Sequence, residues 1–292
     1  MKYQFIEEHK HEFAIVVMCG VLTVSESGFY AWRKRPTCRR KQEDAQLIQE
    51  IKQVFEVHQG RYGAPRIYRD VHDEGMSCSR KRVARLMRAE ELSARSKRRR
   101  VITTKRDEAH PVALNLLNRD FHAEEPNRKW VTDITYIPTK QGWLYLAVIL
   151  DLYSRMVVGW SMSGNCDGKL VEHALEHALA RRRPDAGLLH HSDRGSQYTA
   201  HAYQAYLQRY GIQSSMSRKG NCWDNSVMES FFVTLKDECV RDTFYSSHDE
   251  ARSALFVYIE AYYNRIRRHS TLGYMSPLQY EHMGVVPLLQ NI

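Results

Sequence analysis

Residues 143–151, WLYLAVILD, run eight positions without a charge before the closing aspartate. A stretch of this length between two turns suits a central strand buried on both faces, because side chains of both parities must be hidden from water. It follows a shorter strand pattern at 130–137 (WVTDITYI), from which the turn KQG separates it. The turn LYSR comes next, and then a third apolar run, MVVGWSM at 156–162. Three sequential strands with tight turns fold back on one another as antiparallel neighbours.

Beyond residue 162 helices and strands alternate. Helical spacing is expected at about 169–181, a short strand at 187–190, a helix at 200–210, a short strand at 212–215 and a long helix from about 226. A last helical stretch at 250–268 breaks at HSTLGYMSP. The order βββαβαβα predicts an α/β fold class: a ribonuclease H-like mixed five-stranded sheet flanked by helices, preceded by small all-helical segments.

The first half of the chain is helical and carries the charge. Residues 12–34 read as two short helices joined at LTVSESG, with Ser25 or Ser27 as N-cap, and RKRPTCRRK (33–41) reads as a linker. Helices are expected at 43–57, at about 65–73 and at 79–90, the last two separated by EGMSC; three helices with a Gly-containing turn make a helix-turn-helix candidate. The formal net charge is +9, yet residues 80–106 alone hold twelve Lys or Arg against two Glu, a local +10. Everything else is close to neutral. Such a stripe is the electrostatic footprint of a polyanion, DNA above all, although a solvated basic helix face would look the same. The expected phosphate contacts are Arg66, Arg80, Lys81, Arg82, Arg85, Arg98, Arg99 and Arg100. Residues 1–36 (helical segment), 37–122 (helix-turn-helix-like region and basic linker) and 123–292 (α/β core with a C-terminal helical segment) are the expected domains.

Other classes are disfavoured. Six cysteines at irregular intervals, with no CxxC, indicate neither a disulfide framework nor a zinc finger. The apolar run 13–22 is preceded by Glu7, Glu8 and Glu12, and no stretch approaches the roughly 20 apolar residues of a membrane span. A cytoplasmic, nucleoid-associated protein is the expectation.

Three carboxylates stand where an α/β enzyme places ligands. Asp133 interrupts the strand face it shares with Val131, Thr135 and Ile137; a buried carboxylate is costly without a partner. Its bland alternative is an edge position or a satisfied acceptor. Asp193 follows the apolar GLLHH at a strand's C-terminal end, where ligand sites of such sheets lie, although SDRGS is also ordinary turn chemistry. Glu229 competes with a capping box, since Ser226 to Glu229 spells S-x-x-E. Lys236 lies two turns further along the same helix face, about 10 Å away. Asp151 is a rival ligand that reads better as a turn initiator, and Asp224 as helix-entry chemistry. Together Asp133, Asp193 and Glu229 read as a site for two Mg²⁺ ions about 4 Å apart doing phosphodiester chemistry.

These residues carry a resemblance. The segments HQGRYGAPRI, RKRVARLMR, WVTDITYI, LAVILDLYSRMVVGW, HSDRGSQYTA, SRKGNCWDNSVMESFFVTLK and YNRIRRHSTLGYMSP resemble bacterial insertion-sequence transposases of the DDE class, specifically the OrfB type with a retroviral-integrase-like core. The 35 residues between Asp193 and Glu229 are part of that signature. The resemblance implies a metal triad of Asp133, Asp193 and Glu229, with Mn²⁺ substituting for Mg²⁺, and a contact from Lys236 to the element's end. It implies cleavage by activated water and then attack of the exposed 3′-hydroxyl on target DNA, with terminal repeats and target as partners, a homo-oligomer, and the upstream-frame protein as fusion or partner. One departure is MCGVLTVS, in which Gly20 and Thr23 replace the family's more usual Arg and Gly. A DNA-binding regulator with an inactive core is the alternative from another class, and a ribonuclease H-type nuclease is a third.

Overall fold

The computed structural model describes residues 1–34, 39–95, 112–218 and 221–289. The chain divides into two compact units, one of residues 1–60 and 67–93, the other of 61–66 and 94–292.

The first unit is all helical. Helices α1 (Lys2–Glu8), α2 (Ile15–Val21) and α3 (Glu26–Lys34) close around Ile6, Met18, Cys19 and Phe29. Helix α1 was not expected from the pattern, since its one buried residue, Ile6, gives no periodicity to read. Ser25 caps α3, accepting the Gly28 amide at 3.1 Å. Helix α2 ends in a left-handed turn: Val24 N–H reaches the Cys19 carbonyl at 3.0 Å and Thr23 N–H reaches that of Gly20 at 3.2 Å, with Thr23 at φ 54°. Helices α4 (Arg39–Val57), α5 (Ala64–Asp73) and α6 (Arg80–Ala89) come next, and Leu47, Ile51, Val54, Ile67, Val71, Val83, Leu86 and Met87 are buried. Helix α3 runs to Lys34 and α4 starts at Arg39, so the expected linker 33–41 shrinks to its middle, which lies outside the described residues.

The second unit is built on five strands in the order β3-β2-β1-β4-β5. β1 (Lys129–Thr139), β2 (Gly142–Asp151) and β3 (Val157–Ser163) form an antiparallel meander, and β4 (Leu189–Ser192) and β5 (Gln213–Met216) add in parallel on the other side of β1. The mixed sheet is therefore the expected one, with β4 displaced two residues toward the C-terminus of its predicted span because the chain is still turning at Gly187 (φ 93°). The apolar run of β2 lies mid-sheet, and Leu144, Leu146, Ala147, Val148, Ile149 and Leu150 are all buried. Helix α7 (Gly168–Arg182) packs on β3 so closely that a Cβ on Gly159 would lie 2.3 Å from the Ala174 carbonyl oxygen. The predicted helix at 200–210 is preceded by a separate turn, giving α8 (Ser196–Thr199) and α9 (His201–Arg209).

Helix α10 (Ser226–Leu235) passes into a π-helical turn, Lys236–Val240, and α11 (His248–Phe256) into another, Val257–Tyr263; α12 (Pro277–Leu289) closes the chain's described part. The two π turns meet around a buried ion pair. Arg267 donates to Glu238 through Nε at 2.9 Å and Nη2 at 2.8 Å, and Tyr258 donates to the same carboxylate at 2.9 Å. Among the described residues no single helix is long and apolar enough to cross a membrane; α2 and α3 reach that composition only as a pair bent by 113°.

Candidate active site

The site grows from the central strand. Trp130 and Ile134, at even positions of β1, pack with core residues of α7 and α9, while Asp133 belongs to the opposite parity and is half-buried. Its Oδ1 accepts the Ile134 amide at 2.8 Å. β1 and β4 pair in parallel as Lys129 with Leu189, Trp130 with His190 and Val131 with His191. The same offset of 60 positions relates Asp133, two residues beyond the last pair, to Asp193, just past the end of β4.

Asp193 also serves its turn, as the alternative reading had it: Oδ1 accepts the Gly195 amide at 2.9 Å. The two aspartates act on one neighbour. Tyr198 of α8 is buried and bonds Thr132 Oγ1 at 3.2 Å; its phenol is pushed well above the ordinary range, first by burial and then by the charges of Asp133 and Asp193.

Helix α10 delivers Glu229. Asn225 is its N-cap residue but makes no side-chain capping bond, and Ser226 is already helical, so the S-x-x-E capping box does not set the helix start. Asn225 instead donates Nδ2–H to the Thr132 carbonyl at 3.2 Å and ties the start of α10 to β1 one residue before Asp133. Glu229 lies in the first turn of that helix. Lys236, seven residues on, holds its ammonium 4.5 Å from the centre of the Tyr136 ring. Tyr136 packs edge-on against Trp143 at 4.9 Å, and both rings are largely exposed.

Two other acids have different work. Asp151 is buried and accepts the amides of Asn127 (2.7 Å) and Tyr153 (2.9 Å), which fits a turn initiator. Asp224 was expected to serve helix entry, but it is a buried junction: Arg218, Arg119 and Asn115 all donate to it, at 2.8–2.9 Å. The Arg218 bonds, with Arg119 behind them, hold its carboxyl far below the usual range against the opposing effect of burial. Asn225 and this junction were missed from sequence. The available signal was two adjacent polar residues, Asp224 and Asn225, immediately ahead of an apolar helix.

The expected phosphate contacts scatter. Arg80 and Lys81 are exposed on α6, while Arg82 and Arg85 pair with Asp44 of α4 at 2.7 and 2.8 Å and so help hold their own bundle. Arg66 falls in the second unit, donating to the Arg268 carbonyl at 2.9 Å. Arg98, Arg99 and Arg100 lie outside the described residues.

Among the described residues no three His, Cys, Asp or Glu side chains converge into a metal cage. Asp133 on β1, Asp193 just past β4 and Glu229 in the first turn of α10 each carry the hard oxygen donors that divalent cations of this type prefer.

The fold is that of an integrase-like core. Integrase core domain models match residues 123–222 and 210–277, and an HTH-like domain model matches 41–100. The chain is 44% identical over 287 residues to the transposase InsF of insertion sequence IS3A from Escherichia coli K12, covering 98% of this chain and 100% of that protein. It is also 45% identical to the 31 kDa protein of insertion element IS600 from Shigella sonnei, over 89% of this chain and 96% of that one. A looser likeness, TM-score 0.43 at 17% identity, covers 55% of this chain and 100% of the HTLV-2 integrase catalytic core domain in complex with magnesium. The chain belongs to the IS3 family of insertion-sequence transposases of the InsF (OrfB) type.

Proposed function

We propose that Asp133, Asp193 and Glu229 are the catalytic carboxylates of a DNA transposase that cleaves at insertion-sequence ends and joins the freed 3′-hydroxyl to target DNA. The observation that carries this reading is the parallel pairing of β1 and β4, which runs as far as Val131 with His191, two residues short of Asp133 and Asp193. The Asn225 bond to the neighbouring Thr132 carbonyl supports adding Glu229 to the pair.

The three side chains would hold two Mg²⁺ ions, or Mn²⁺ in their place, which when bound supply an activated attacking oxygen and stabilise the leaving oxygen of an in-line displacement. The chain's own residues do the rest. Asn225 ties the start of α10, whose first turn carries Glu229, to β1 one residue before Asp133. Lys236, steadied by the Tyr136 ring, offers a positive charge two helical turns from Glu229 and suits a phosphate of the element's end. Arg80 and Lys81, exposed on the helix-turn-helix-like unit, suit backbone contacts elsewhere on the DNA. A homo-oligomer and the product of an upstream frame are the protein partners this reading anticipates.

Asp133→Asn, Asp193→Asn and Glu229→Gln test it. Each is expected to lower Mg²⁺-dependent cleavage and strand transfer by about 10³-fold or more, an effect of the size seen when a group stabilising the transition state is removed, with DNA affinity close to wild type. Wild-type cleavage in any one variant removes that residue from the site. Wild-type protein that binds DNA but transfers no strand with either metal is a regulator, not an enzyme.

A further inference from the structure

A cavity of about 480 Å³ opens along α10 within the second unit, on a different stripe of the helix from Glu229 and Lys236. Ser226, Ser230 and Thr234, four residues apart in turn, line one wall. Five arginines line the rest: Arg61, Arg66, Arg95, Arg155 and Arg267, against the two acids Asp237 and Glu238. Both acids are already engaged, Glu238 by Arg267 and Asp237 by Arg241. The local balance is strongly positive.

Arg155 is the least satisfied of these groups. One guanidinium nitrogen donates to the Phe121 carbonyl at 3.0 Å, while Nη1 is buried and has no hydrogen-bond partner. A buried donor left unmade is costly. Its backbone is also strained, at φ 60° in the turn between β2 and β3, where glycine or asparagine would be cheaper, and Tyr263 holds it by donating to the Arg155 carbonyl at 3.1 Å. The positive field is felt by His269 in the same wall. It is kept neutral first by burial and then by Arg267, Arg66 and Arg155.

We propose that this cavity is a phosphate-binding site, separate from the carboxylates, in which Arg155 and Arg66 receive the oxygens of one phosphate group and the α10 hydroxyls complete its hydrogen bonds. Guanidinium groups and hydroxyls around an oxyanion are the expected recognition chemistry. A DNA backbone is the source if the function above holds, because one helix then presents Glu229 to the reacting phosphodiester and its hydroxyl stripe to another. The phosphate chemistry does not depend on that function.

The test is titration of the full-length protein with inorganic phosphate in EDTA, against chloride at matched ionic strength, read by calorimetry. Wild type is expected to show saturable binding that Arg155→Gln and Arg66→Gln each weaken by about tenfold or more, the worth of one charge-assisted bond. Ser230→Asp, which leaves every arginine in place, should abolish it, and Asp193→Asn should not change it. A phosphate response equal to that of chloride, or unchanged binding in both Arg155→Gln and Ser230→Asp, overturns the site. Displacement of phosphate by a short DNA duplex identifies the backbone as the source; phosphate binding that duplex cannot displace identifies a free phosphorylated compound. Loss of activity in Asp193→Asn without any phosphate binding in wild type leaves the proposed function standing and removes the pocket.

Discussion

Asn225 Nδ2 lies 3.2 Å from the carbonyl oxygen of Thr132, a bond between residues 93 apart in sequence that joins the start of α10 to the central strand. The amide's other end, Oδ1, is buried without a hydrogen-bond partner. Asn225→Leu should therefore cost about 1 kcal/mol of stability, the net worth of one such bond, while cleavage falls by ten- to a hundredfold, as small misplacements of reacting groups do. Cleavage kinetics beside a urea titration check this. A drop confined to stability would mean the bond serves the fold alone.

His190 is buried, bonded through Nε2 to Tyr203 at 2.8 Å, and desolvation lowers its pKa to about 3. The unfolded chain titrates near 6.5, so the contribution of a neutral His190 is complete above that pH and is lost as pH falls from about 6.5 toward 3, by roughly 1.4 kcal/mol per unit. Urea midpoints measured from pH 7 to 4 should decline, and His190→Gln should remove about one proton from the slope. Parallel declines in both proteins would assign the acid sensitivity elsewhere.

The Glu238–Arg267 pair is desolvated on both sides, with 6% and 4% of each residue exposed. Removing one partner strands the other, and Glu238→Gln is expected to destabilise the second unit by about 3 kcal/mol, toward the lower end of such losses. Thermal melts of variant and wild type measure it, and a shift of a degree or less would show that water reaches the site.

Thr23 sits at φ 54° in the turn that ends α2. A β-branched residue there is unfavourable, so Thr23→Gly should stabilise the first unit by about 1 kcal/mol. The side chain also bonds locally, Oγ1 donating to the Leu22 carbonyl at 2.7 Å. If that bond outweighs the strain, the melting temperature will fall instead.

The sheet was legible because its signals are local: an apolar run for β2, tight turns on either side, and alternation between strands and helices afterwards. The positions of Asp133 within β1 and Asp193 just past β4 were legible for a similar reason, since one interrupts a strand pattern and the other follows its end. What sequence concealed are partnerships over distance. Asp224 looked like a helix-entry residue because nothing near it in the chain announces Arg119, 105 positions away. The ion pairs of Arg82 and Arg85 with Asp44 were hidden because Asp44 belongs to another helix. The π-helical turns after α10 and α11 were invisible, because each keeps a helical composition while slipping the hydrogen-bond ladder by one residue.

β4 is four residues long, and the strand it pairs with is eleven. The ladder with β1 ends at Val131 and His191, and two more rungs would seat two aspartates face to face, an arrangement that like charges oppose. Charge repulsion thus adds to the turn that Asp193 closes on the Gly195 amide in opposing growth of this strand, and a β4 lengthened by design would gain if one of those acids were neutralised.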